Sequence, residues 1–281
     1  MTDCAVPPGA LRLFVAEPIL TAHAEFDLPE AAAAHVKVRR LQPGAALRLF
    51  DGRGGVDWPA EVRAITQRAV HVRLAAAPVP AAAVELPLAV GLAFCMPANE
   101  RVDSLVEKAT ELGAAALWPL MSERSVLRLH GVRAERRRTH WQAVAAAACE
   151  QCGRARVPRV HAVQALPAWL ESHRGDAAGA GSMRWLLSTD AAAPALAGAW
   201  PRSASPHAGR VLLLSGPEGG FTPAEERAAL LAGFAPVSLG QRILRADTAP
   251  LAALAWVALA HAQAAAPSTA ASFPEPKSGA W

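Results

Sequence analysis

From Leu88 onward the chain alternates short apolar runs with stretches of helical periodicity, and that alternation restricts it to few architectures. Leu88–Phe94 is continuously apolar, as a strand buried on both faces requires. Asn99–Leu112 then places Val102, Leu105, Val106, Ala109 and Leu112 at helical spacing, with Asn99 positioned to cap the start and Gly113 to end it. Ala114–Leu120 is the next strand, and Val132–Cys152 is a long helix closed by Gly153. Trp185–Ser188, Val211–Leu214 and Pro236–Leu239 are further buried strands. Thr222, Pro223 and Glu225 form a helix start with a capping box, Gly233 ends that helix, and a last helix runs from Thr248 to Gln263. Strand–helix alternation of this kind predicts an α/β domain whose sheet is mainly parallel, with helices on both faces.

The first part of the chain has a different texture. Leu11–Val15, Ala46–Phe50, Ala60–Ile65 and Val70–Leu74 read as short strands, Asp51–Gly55 as a hairpin turn and Pro29–Leu41 as one helix. Several short strands in so little chain predict a small β-barrel over residues 1–76. The Ala/Pro-rich stretch that follows is read as a linker over 77–87, the α/β domain as 88–265, and the Pro/Ser/Ala-rich 266–281 as a disordered tail.

Composition narrows the setting. A net charge of +4 and a pI near 9.2 are compatible with a polyanionic partner without selecting one. The start of the chain has no basic region followed by an apolar core, and every alanine run is broken by charge or proline, so the expectation is a cytoplasmic protein with no membrane partner. Four cysteines in a chain of this length suit a reducing compartment. Cys149 and Cys152 have C-x-x-C spacing but no second pair, and the histidines show no ligand spacing, so no metal is expected.

Two glycine-punctuated turns carry the chemistry. Ser215-Gly216-Pro217-Glu218-Gly219-Gly220-Phe221 and Leu239-Gly240-Gln241-Arg242-Ile243-Leu244-Arg245-Ala246-Asp247-Thr248-Ala249 each follow an apolar run and precede a helix. They therefore sit at strand ends, where open α/β sheets bind ligands, and neighbouring strands could hold them side by side. The first turn lacks the Lys-Ser/Thr end of a P-loop and the G-x-G-x-x-G order of a dinucleotide fold, which removes nucleotide phosphate as the leading ligand.

Together these turns resemble the cofactor site of SPOUT-class methyltransferases, and within that class the family that methylates N3 of a uridine in 16S ribosomal RNA. The resemblance extends to Glu107–Gly113, Ser122–Ser125, Ala148–Arg154, His35–Arg40 and Leu49–Gly52, and so covers residues 10–262. Asp247 stands where the family carries Glu, and Pro250 where it carries a small non-proline residue. The resemblance implies a trefoil-knotted methyltransferase domain behind a PUA-like RNA-binding barrel, a homodimer, S-adenosyl-L-methionine as cofactor, and 16S rRNA in the decoding region of the small subunit as substrate. Cofactor contacts are implied for Leu187, Ser188, Ser215, Gly216, Pro217, Gly219, Gly220, Leu239, Gly240, Ile243, Leu244, Arg245, Thr248 and Ala249. RNA contacts are implied for Arg12, Arg40, Arg124, Glu150, Gln151 and Arg154. The alternatives are a SPOUT enzyme for another RNA nucleotide, or a catalytically silent RNA-binding member.

The reaction chemistry assigns two more roles. Uracil N3 carries a proton and is a poor nucleophile until that proton leaves, so a base, or a cation that stabilises the uracil anion, is required. The candidate cation is Arg245. The candidate carboxylate is Glu218, with Asp247 behind it. In the last helix Leu251, Leu254 and Ala258 form an apolar stripe suited to a dimer contact.

Overall fold

The structure is a computed structural model, and it describes residues 9–19, 21, 23–74, 77–81, 84–86, 88–174, 182–190, 192–200 and 209–265. The predicted tail, 266–281, lies outside the described residues.

The N-terminal part forms β1 (Leu11–Phe14), β2 (Glu25–Asp27), α1 (Glu30–Val38), β3 (Ala46–Phe50), β4 (Val56–Ile65), β5 (Val70–Leu74) and β6 (Val79–Pro80). Its strand order is β1-β3-β4-β5-β2, with β6 paired to β4. Sequence reasoning missed β2, which is short and mostly polar, and started β4 four residues late because Pro59 interrupts the pattern. It also read β6 as linker. Leu13, Leu47, Leu49, Val62, Val72 and Leu74 are fully buried in this core. Each contributes on the order of 1.5–3 kcal/mol by leaving water.

The rest of the chain gives β7 (Ala89–Cys95), α2 (Asn99–Glu111), β8 (Ala114–Met121), α3 (Gly131–Cys152), β9 (Arg159–Val160), β10 (Gln164–Ala165) and α4 (Leu166–Ser172). It continues with β11 (Ser182–Leu187), α5 (Leu196–Ala199), β12 (Arg210–Ser215), α6 (Pro223–Leu231), β13 (Ala235–Val237) and α7 (Thr248–Ala265). The sheet runs β10-β8-β7-β12-β11-β13, every pairing in it is parallel, and β9 joins at β8. The capping box of α6 is formed by Thr222 and Glu225 as expected. Ala98, rather than Asn99, occupies the cap position of α2. The elements β9, β10, α4 and α5 were not foreseen, because they are too short to show a period. Leu254 of α7 is fully buried in its own domain's core, so the stripe expected to meet a second copy is in part an internal contact. Among the described residues no helix is long and apolar enough to cross a membrane.

The two parts meet in a polar seam. Arg12 of β1 donates to the Asp57 carboxylate at 2.9–3.2 Å, and to the carbonyls of Cys149 and Arg154 at 2.8 Å each. Glu150 accepts from the Phe14 N–H at 2.7 Å. Arg154, 4% exposed, donates to Glu85 at 2.9–3.0 Å and to the carbonyls of Thr110 and Ala114 at 2.7 and 2.8 Å. Arg12, Glu150 and Arg154, expected to meet RNA, are thus each engaged by other residues of the protein. Arg12 takes up carbonyls at and just past the end of α3, Arg154 those at the end of α2 and the start of β8, and Glu150 a backbone N–H of β1.

Candidate active site

Strands β11, β12 and β13 run parallel, so their C-terminal ends share one edge of the sheet. The two glycine turns are not on neighbouring strands, as the sequence suggested. β11 lies between β12 and β13, so the segment after Leu187 leaves the sheet between them. A cleft of about 70 Å³ opens there. Leu187, Ser188 and Thr189 line one side, and Leu239, Gly240, Gln241, Arg242, Ile243, Leu244 and Ala249 line the other.

Backbone hydrogen bonds hold the two sides together. Ser188 donates to the Val237 carbonyl at 2.9 Å, Ser238 to that of Pro194 at 2.8 Å, and Leu196 to that of Ser238 at 2.9 Å. Gly240 has φ +106°, which an L side chain rarely adopts, and an added Cβ there would meet nothing within 4 Å. The glycine is therefore required by conformation, and open space remains beside its backbone. Ile243 is 85% exposed and Leu244 half-buried, which leaves apolar surface at the mouth. This combination of open space beside a glycine and uncovered apolar side chains fits a flat heteroaromatic ring. Arg245 is exposed, and its carbonyl accepts from the N–H groups of Thr248 and Ala249 at 3.0 and 2.9 Å, closing the first turn of α7.

The turn after β12 does not line that cleft. Ser215 and Pro217 are buried, and Gly220 N–H closes the turn on the Pro217 carbonyl at 2.9 Å. Glu218 accepts from the Ala98 N–H at 3.1 Å, so it occupies the start of α2 rather than that of its own helix. Arg101, which sequence reasoning missed, stands 3.9 Å from both Glu218 and Asp247. Only the fold brings Arg101 to residues so distant in sequence. The Oδ1 atom of Asp247 is buried and accepts no hydrogen bond, its nearest cation being Arg101 at that ion-pair distance.

Of the remaining candidates, Arg40 is exposed on the barrel with φ +52°, and Gln151 is exposed near the end of α3. Arg124 donates from Nη1 to the carbonyls of Gly219 and Phe221 at 2.9 and 3.3 Å. Burial pushes the Cys95 thiol up to about 12, so it stays protonated beneath the turn. Among the described residues no group of His, Cys, Asp and Glu could hold a metal ion.

Comparison with known proteins shows the family. Residues 84–258 match the family model described as an RNA methyltransferase domain, and residues 28–75 match an RNA methyltransferase PUA domain. The chain is 35% identical over 221 residues to ribosomal RNA small subunit methyltransferase E of Synechocystis, covering 79% of this chain and 68% of that one. It is 34% identical over 225 residues to the protein of the same name from Mycobacterium bovis, covering 78% and 80%. A solved ribosomal RNA small subunit methyltransferase E from Neisseria gonorrhoeae, bound to S-adenosyl methionine, superposes with a TM-score of 0.77 at 33% identity, over 88% of this chain and 96% of that one. Lpg2936 from Legionella pneumophila, in complex with the same cofactor, gives 0.79 at 28% identity over 89% and 98%. By sequence and by fold alike, this chain belongs to the RNA methyltransferase family, with an α/β methyltransferase domain behind a PUA domain.

Proposed function

We propose that the chain transfers the methyl group of S-adenosyl-L-methionine to N3 of a uridine in 16S ribosomal RNA, within the small subunit, and that it works in the cytoplasm as a homodimer. The observation that carries this reading is the cleft between Leu187–Thr189 and Leu239–Leu244 at the C-terminal edge of the parallel sheet. The trefoil knot expected of the domain belongs to the same reading. It is supported by the strand order, in which the later β12 lies between β7 and β11.

S-adenosylmethionine supplies an electrophilic methyl group on a sulfonium. Leu187, Leu239, Ile243 and Leu244 would cover its ring. The protein's contribution is then positioning, which can lower a barrier by about 7–11 kcal/mol, together with control of the uracil proton. Arg245, exposed beside the cleft, would stabilise the uracil anion. Of the two carboxylates, Asp247 suits the proton better than Glu218. One Glu218 oxygen already accepts from Ala98 N–H, whereas Asp247 Oδ1 accepts no hydrogen bond. For the homodimer, Ile243 and Leu259, 85% and 65% exposed, offer apolar surface beside the cleft and on α7.

Nucleoside mass mapping of 16S rRNA methylated by the purified protein tests the reading. A new 3-methyluridine supports it, and a methyl group on another nucleotide would favour a different member of the class.

A further inference from the structure

Three arginines near the start of α3 carry charges that the fold leaves open. Arg133, Arg136 and Arg137 stand three and four residues apart, so they share one flank of the helix. Arg133 and Arg136 are exposed and Arg137 is half-buried, and among the described residues none pairs with any of the three. Arg138, by contrast, donates to Glu135 at 3.0 Å. The first turn of α3 holds no acidic residue, so the positive end of the helix dipole adds to the arginines' field.

The fold sets this flank beside the candidate site. Strand β8 runs parallel to β7, and β7 to β12, so the loop that leaves β8 for α3 starts at the sheet edge that carries the cleft. One turn beyond Arg137, His140 and Trp141 each reach an oxygen of the Asp103 carboxylate at 2.8 Å. Asp103 shares the start of α2 with Arg101, the residue that stands 3.9 Å from Glu218 and Asp247. Further along α3 the sign of the surface changes. Val144, Ala147 and Gln151 line a groove with Glu107, Lys108 and Glu111 of α2, where two carboxylates hold one ammonium at 2.8 Å each. A polyanion is therefore favoured at the arginine end of α3 and disfavoured beyond it.

We infer that Arg133, Arg136 and Arg137 bind the phosphate backbone of the substrate RNA and hold the strand at the sheet edge that carries the cleft. The inference rests on the functional reading above for its RNA substrate. Guanidinium groups suit the task, because each is always charged and its planar fork matches two phosphate oxygens. Phosphate contacts fix register and affinity without reading bases, so the choice of nucleotide is left to the cleft.

Binding of the full-length protein to a 16S rRNA fragment, followed from low to moderate salt, tests this. Arg133→Ala, Arg136→Ala and Arg137→Ala together should flatten the slope of log Kd against log salt by about 2 to 3 and raise the Kd at low salt about tenfold or more. The Kd for S-adenosylmethionine, read by calorimetry, should stay within about twofold. Lysine at all three positions should restore most of the slope, since the charge is kept. Arg138→Ala, which removes a paired charge, should leave the slope unchanged. A wild-type slope and RNA affinity in the triple alanine variant would overturn the inference. An equal loss of cofactor affinity would overturn it too, by marking the three arginines as structural. A methyl group found on another nucleotide would defeat the functional reading and leave this surface standing, because phosphate contacts are blind to sequence.

Discussion

The Arg12 guanidinium holds the Asp57 carboxylate from two of its nitrogens, with Nε and Nη2 at 3.0 and 2.9 Å from the same oxygen. The pair lies in the seam between barrel and methyltransferase domain, and the other contacts of Arg12 end α3. Asp57 is 5% exposed, so removing its partner strands a buried charge. Arg12→Ala should therefore cost about 3–5 kcal/mol of stability, read from urea denaturation. Arg12→Lys should lose less, and Arg12→Ala with Asp57→Ala should cost less than the sum of the two single changes. An Arg12→Ala protein of wild-type stability with weakened RNA binding would reverse the assignment.

Cys149 and Cys152 divide their roles. The hydrogen bond with Cys149 first, then the backbone and charge at Arg154, lowers the Cys152 thiol to about 6. The same bond and burial raise Cys149. The thiolate is the reactive form, so iodoacetamide at pH 7 should modify Cys152 rapidly while buried Cys95 stays unmodified in the native protein. Peptide mass spectrometry reads both sites. Equal labelling of Cys152 and Cys95 would contradict this assignment.

His161 stacks on Trp118 with ring centroids 4.5 Å apart, and burial, then Arg159 and His173, lower its pKa from 6.5 to about 4. Between those values the unfolded chain takes up a proton that the folded one refuses. Stability from this residue is therefore complete above pH 6.5 and falls as the pH drops to 4. His161→Phe keeps a stacked ring and cannot titrate. Its Tm should decline less than the wild type's between pH 7 and pH 4, and parallel curves would exclude His161 as the source.

The parallel sheet was legible because buried strands and amphipathic helices each impose a period, as in Leu88–Phe94 and the stripe from Val102 to Leu112. The α6 start was legible because its capping box is local in sequence. The glycine turns marked a strand-end site, yet their spacing implied adjacent strands. The insertion of β11 between β12 and β13 is a long-range choice that no local pattern encodes. The same limit hid Arg101 beside Glu218 and Asp247, and the seam that takes up Arg12, Glu150 and Arg154. An arginine facing a phosphate and one facing a helix-end carbonyl look alike in a sequence, and only burial separates them.

Arg245 is the residue on which the proposed chemistry turns, and the rRNA itself reports on it. In cells lacking this protein, nucleoside mass mapping of 16S rRNA should show 3-methyluridine lost. The wild-type chain should restore it, and Arg245→Ala should not, although calorimetry still detects S-adenosylmethionine binding to that variant. A 3-methyluridine level unchanged by removal of the protein would contradict the account.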